Sequence, residues 1–64
     1  MMVSLKAARV NAELTQEEAA ERIGVSKATI TNWECGRSFP DVMQLKKIED
    51  IYGVSYNNLI FLPS

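Results

Sequence analysis

Five side chains in one short stretch carry most of the chemistry that this sequence offers. Lys27, Ala28, Thr29, Thr31 and Asn32 lie in SKATITNWEC, residues 26–35. In a helix, Ile30 and Trp33 are three apart and turn one face inward. The other five are small or polar and are not needed by a core. Lys27 can donate to guanine O6 or N7 or to a phosphate, and Asn32 can pair bidentately with adenine. Ala28 offers a methyl suited to a thymine methyl, while the hydroxyls of Thr29 and Thr31 can donate to phosphates or bases. A helix held from behind, with such a face outward, is what a DNA major groove accepts. Lys27, Ala28, Thr31 and Asn32 are therefore the expected base contacts, and Thr29 an expected phosphate contact.

Other chemistries lack their residues. The chain has no histidine and one cysteine, Cys35. A nucleophile–base pair would need a histidine or a buried lysine beside Ser, Thr or Cys, and a zinc site of the usual kind lacks donors. Glu17, Glu18 and Glu21 fall on the polar side of one amphipathic helix. Cys35 reads as an inert thiol. No enzymatic activity, metal or cofactor is expected.

The elements that must hold the Lys27–Asn32 face can be read outward from it. Ser26 caps that helix, and Gly36 ends it as a C′ residue. The preceding helix opens with Thr15-Gln16-Glu17-Glu18, a capping box in which Glu18 answers Thr15. Ala19, Ala20 and Ile23 give it an apolar face, Ala20 being small where two helices touch. Gly24 stops it where the chain must turn sharply. Gln16 stands in its first turn, where outward backbone N–H groups favour a phosphate. Upstream, residues 4–12 form a first helix capped by Ser4, with Leu5, Ala8 and Ala12 inward and Arg9 beside that stripe. Downstream, Arg37 and Ser38 form a loop, and Phe39-Pro40 extends toward the next helix, with Phe39 either packed under the loop or partly exposed. Asp41 caps a fourth helix whose inward stripe is Val42, Leu45, Ile48 and Tyr52. Gly53 ends it, and Ser55 caps a last helix over residues 56–61 with Leu59 in the core.

Composition bounds the rest. Sixty-four residues, 47% apolar, make one domain, 1–64. A domain this small buries only about 60% of its unfolded surface. No apolar run approaches the ~20 residues of a membrane span, the N-terminus lacks a signal-peptide core, and a single cysteine fits a reducing cytoplasm. The net charge is −1, unusual for a nucleic-acid partner, but its distribution is uneven. Residues 1–12 carry +2 and residues 13–25 carry −3. Residues 26–38 carry +1 and residues 39–64 carry −1. The outward helix and the loop after it stay mildly positive, and modest non-specific affinity is expected.

The ordered set Thr15-Gln16, Ala20, Gly24-Val25-Ser26, Ile30, Trp33-Glu34, Gly36, Pro40 and Gly53-Val54-Ser55 resembles phage-repressor-like (Cro/XRE-type) helix-turn-helix transcriptional regulators, over roughly Leu5 to Phe61. The resemblance implies an all-α, compact five-helix, lambda-repressor-like DNA-binding domain, with helices two and three as the helix-turn-helix and Ser26–Cys35 as the reading helix. It implies an ion pair between Arg9 and Glu34, Arg9 also reaching toward a phosphate. It makes Gln16 a phosphate clamp and lays Arg37 and Ser38 along the sugar-phosphate backbone. Glu49 departs from the family, which usually has a small alanine there. The partner implied is double-stranded DNA carrying a palindromic operator, in a bacterial or phage-encoded, cytoplasmic, nucleoid-associated setting. Ile60, Phe61 and Leu62 are too apolar for a free tail. They either pack on the monomer or form a two-fold interface, and the homodimer is the preferred reading. The competing function is a protein-interaction module of the same fold (adaptor, antitoxin or anti-repressor) that uses the acidic second helix.

Overall fold

A computed structural model of the protein describes residues 2–61. The element order is β1 (Val3–Ser4), α1 (Leu5–Asn11), α2 (Gln16–Ile23), α3 (Lys27–Glu34), α4 (Val42–Tyr52), a 3-10 turn (Tyr56–Asn58) and β2 (Leu59–Ile60).

Each α-helix starts on a side-chain cap. Ser4 accepts from the Ala7 N–H at 3.1 Å. Thr15 accepts from the Glu18 N–H, and Glu18 accepts in return from the Thr15 N–H, closing a capping box. Ser26 accepts from the Thr29 N–H. Asp41 and Gln44 form a second capping box. These bonds satisfy N–H groups that the first turn leaves without partners. At the other end of α2, Gly24 has φ +90°, and the N–H groups of Gly24 and Val25 both reach the Ala20 carbonyl. That left-handed turn reverses the chain over three residues and sets α3 against α2.

The apolar stripes meet in one core. Leu5, Ala8, Leu14, Ala19, Ala20, Ile23, Ile30, Trp33, Ile48, Tyr52 and Leu59 are all buried. Ala19 and Ala20 let α2 lie close to its neighbours. Lys47 of α4 donates to the Ile23 carbonyl at 3.3 Å, placing a cation at the negative end of α2.

Two features differ from the expectations above. The described residues carry four α-helices rather than five. Residues 56–58 make a single 3-10 turn, capped by Ser55, and Leu59–Ile60 then becomes a strand parallel to Val3–Ser4, in the register Val3↔Leu59 and Ser4↔Ile60. The physical reason is local. A six-residue helix has to offset a costly nucleus, Asn57-Asn58 favour turns over helix, and the bridge to β1 satisfies the same backbone groups. Leu59 still reaches the core. Second, Val42 is 69% exposed. It is the first residue of α4, before the helix has come down onto the core, and the buried stripe begins effectively at Ile48 and Tyr52.

Glu13, between α1 and α2, holds φ +61°, and among the described residues it is the only non-glycine with positive φ. An L side chain there is strained by roughly 1–2 kcal/mol. Glu13→Gly should therefore raise stability by about 0.5–1 kcal/mol, measured as a higher melting temperature with unchanged helical signal. A lower melting temperature would show that the Glu13 side chain contributes more than its backbone costs.

Candidate nucleic-acid interface

The face of α3 is defined by what it buries. Ile30 is 1% exposed and Trp33 4% exposed, both in the core. Lys27 and Ala28 are exposed, and Thr29, Thr31 and Asn32 are half-buried. The Asn32 amide makes no hydrogen bond among the described residues. Thr29 Oγ1 lies 3.0 Å from Ser26 Oγ, with either atom as donor. Thr31 has one hydroxyl proton, and it points to the Lys27 carbonyl at 3.1 Å or to Gln16 Oε1 at 3.4 Å. Its oxygen remains an acceptor, so toward a base edge Thr31 offers acceptance and a methyl rather than donation.

Behind this face lies a polar network with the Glu34 carboxylate at its centre. Arg9 Nε donates to Glu34 Oε2 at 2.6 Å and Arg9 Nη2 donates to Oε1 at 3.2 Å. Arg9 Nη1 donates to the Leu14 carbonyl at 2.8 Å. Gln16 Nε2 donates to Glu34 Oε1 at 3.1 Å, and Gln16 Oε1 accepts from Thr31. Arg9 is 8% exposed. Its guanidinium is held even more firmly protonated than usual, chiefly by the hydrogen bond to Glu34, against the opposing effect of burial. Tyr52 of α4 is pushed up to about 12, first by burial and then by the negative charge of Glu34. The network joins α1, the α1–α2 connection, the first turn of α2 and the last turn of α3. The Gln16 amide, expected to be a phosphate clamp, is oriented from within: one of its N–H groups goes to Glu34 and the other stays available.

The end of α3 fixes the loop. Gly36 has φ +76°. Its N–H reaches the Trp33 carbonyl, and the Arg37 N–H reaches the Asn32 carbonyl at 2.9 Å. This closure sets where Arg37 leaves the helix. Arg37 and Ser38 are both exposed. Arg37 joins no ion pair among the described residues; the two pairs there are Arg9–Glu34 and Lys27–Glu17.

A second surface is apolar. Phe39 and Phe61 pack edge to face with centroids 6.4 Å apart, and Tyr56 lies 5.8 Å from Phe61. With Pro40 and Leu45 they line an open groove, and Val42, Lys46 and Glu49 continue it. Phe39 is 58% exposed, which settles its two readings in favour of the surface. Phe61 is half-buried against this cluster and Ile60 is exposed; Leu62 lies outside the described residues. Glu49 tilts outward and accepts from the Tyr56 N–H at 2.9 Å. Cys35 is free and exposed. No group of three or more His, Cys, Asp or Glu side chains gathers among the described residues, and none of the described helices is long and apolar enough to cross a membrane.

Sequence reasoning did not find the Gln16–Glu34 bond, the Lys27–Glu17 pair or the Lys47 contact. The spacing of Glu17 and Lys27 across the Gly24 turn was visible, but which way two exposed side chains lean was not.

Two short helices joined by a three-residue turn, the second with a buried back and a polar front, define a helix-turn-helix module. Residues 5–59 match the helix-turn-helix family, and the chain belongs to it, among the phage-repressor-like (Cro/XRE-type) regulators. Over 56 residues, or 88% of this chain, it is 36% identical to the HTH-type transcriptional activator BcrR of Enterococcus faecalis, covering 28% of that protein. It is 38% identical to the HTH-type transcriptional regulator ImmR of Bacillus subtilis (strain 168) over 88% of this chain and 44% of that one. It is also 38% identical to the cryptic phage CTXphi transcriptional repressor RstR of Vibrio cholerae, over 81% of this chain and 47% of that one. The chain thus spans less than half the length of each of these relatives. No solved structure matches it significantly.

Breaking the network on one side should be severe. Glu34→Ala leaves Arg9 buried and unpaired and should cost about 3–5 kcal/mol, whereas Arg9→Met with Glu34→Leu together should recover most of that loss. Chemical denaturation of the two variants checks both values; equal losses would mean that the network, not the orphaned charge, carries the stability. Tyr52 gives a pH test. Its folded pKa is raised, so its contribution is complete below pH about 10 and is lost as pH rises from there through about 12. Denaturation between those limits should show a fall in stability that Tyr52→Phe flattens.

Proposed function

We propose that this domain is a sequence-specific DNA-binding transcriptional regulator, a repressor that occupies major-groove half-sites of a palindromic operator as a homodimer in the cytoplasm. The observation that carries this reading is the front of α3. With Ile30 and Trp33 sealed behind it, Lys27, Ala28, Thr31 and Asn32 stand together where base edges would lie, with the caps Ser26 and Cys35 bounding the reading segment. Around it, this reading assigns Gln16, Thr29, Arg37 and Ser38 to phosphates, Gln16 in the first turn of α2 and Arg37 just past the closed end of α3. Family membership supports the assignment, and the relatives' names include an activator and a phage repressor. The repressor reading rests on the latter, with operator occupancy as the block.

The homodimer is supported by the apolar groove. Phe39, Val42 and Tyr56 are exposed large side chains beside Phe61, and a monomeric domain rarely leaves such a patch to water. Phe61 lines it, and the dimer reading extends to Ile60 and Leu62, the latter outside the described residues. A two-fold axis there would present two α3 helices to one face of the duplex.

The acidic second helix favours a second reading, a protein-interaction module of the same fold with little DNA binding. Glu17, Glu18 and Glu21 are exposed along it, and the chain's net charge is −1.

Selection of bound duplexes from a random library separates the two. The DNA reading predicts an enriched palindrome with half-site centres about one helical turn apart; no enrichment at low salt would remove it. With the selected duplex, Arg37→Ala should weaken all sequences about equally and lower the salt slope by about one. Asn32→Ala should instead relax discrimination at one base position by roughly 1–3 kcal/mol. Sedimentation that finds only monomer at high concentration, with and without the selected duplex, would exclude the dimer.

A further inference from the structure

The Lys27–Glu17 pair lies on the proposed reading face and does not serve the core. Lys27 Nζ is 3.7 Å from Glu17 Oε1, and the side chains are 58% and 77% exposed. Lys27 is the first residue of α3 and Glu17 the second of α2. A cation at a helix N-terminus sits at the positive end of the dipole, where an anion is favoured and a lysine is not. Glu17 is at the start of its own helix, where a carboxylate is favoured, and it reaches across to offset the misplacement of Lys27. The same position beside α3 is the one a DNA phosphate would take. Its neighbours do not compete for the role: Glu18 is held by the Thr15 cap, and Glu21, one turn on, joins no ion pair among the described residues.

We propose that Glu17 is an internal competitor for the nucleic-acid ligand: its carboxylate occupies the Lys27 ammonium in the free protein and must be displaced when DNA binds. This rests on the DNA-binding reading and deepens it. Two consequences follow from charge alone. Affinity is held below what the reading face could deliver, because the pair is broken on binding and the bared carboxylate is left near phosphates. Binding is also less sensitive to salt than the count of cations implies, because that carboxylate takes up a cation as the duplex releases one.

The test uses the full chain, the duplex selected from the random library and a scrambled duplex of the same length. Binding is followed by fluorescence anisotropy between about 50 and 200 mM salt. Glu17→Gln should tighten binding to both duplexes about three- to tenfold at low salt and steepen the salt slope by up to about one. Glu21→Gln removes the same charge without touching Lys27 and should change affinity by less than about twofold. In a Lys27→Met background the effect of Glu17→Gln should shrink to that of Glu21→Gln. The inference is overturned if Glu17→Gln leaves affinity and slope unchanged, if Glu21→Gln matches it, or if its gain persists undiminished without Lys27. Wild-type protein that retains no duplex at low salt would overturn the DNA-binding reading itself, and this inference with it.

Discussion

The molecule is organised around one carboxylate. Glu34 sits at the end of α3, nearly sealed from water, and receives Arg9 from α1 and Gln16 from α2. Arg9 in turn holds the Leu14 carbonyl in the α1–α2 connection. An ion pair of this kind adds little net stability over a well-packed apolar substitute. Its value is directional. Apolar contacts among Ala19, Ala20, Ile23, Ile30 and Trp33 would tolerate a range of sliding between α2 and α3. Hydrogen bonds between 2.6 and 3.2 Å from two segments to one carboxylate tolerate far less. The angle at which α3 presents its front is therefore set from behind, by a carboxylate nearly closed off from solvent.

The parts of the fold that could be read in the sequence are those decided within a few residues. Ser4, Thr15, Ser26 and Asp41 all cap helices, because a cap is a contract between residues three apart. Gly24, Gly36 and Gly53 take positive φ for a similarly local reason. Ile30 and Trp33 are buried together because helical spacing leaves no other choice. The failures are non-local. Nothing near Leu59 announces that Val3 will stand beside it, so residues 56–61 read as a helix. Val42 has the right period but precedes the point where α4 meets the core. On the front of α3 the sequence showed which residues face out. It did not show that Thr31 would already have committed its proton, or that Gln16 would be tied to Glu34.

The electrostatics follow the same division between front and flank. The chain as a whole is slightly acidic, yet the negative charge is concentrated on α2 and the residues just before it. That helix carries two of its three acids in its first turn, where Glu18 completes the cap and Glu17 leans across to α3. The loop after α3 holds an arginine with no internal partner among the described residues. A polyanion approaching this surface would meet repulsion from one side of the turn and attraction from the other, and so would be oriented before it touched.

The bridge between Val3–Ser4 and Leu59–Ile60 sets a schedule on folding. Its partners are separated by almost the whole chain, with Val3 opposite Leu59, while the caps and helix contacts are mostly between near neighbours. During synthesis the four helices can assemble as they emerge, but this fastening waits until Leu59–Ile60 has been made, a matter of seconds after Val3 at ~5–20 residues per second. Until then Leu5 and Ala8 have no strand to cover their flank. The nascent protein thus passes through a state with its helical body built and one seam open, and it closes that seam only once Leu59–Ile60 has emerged.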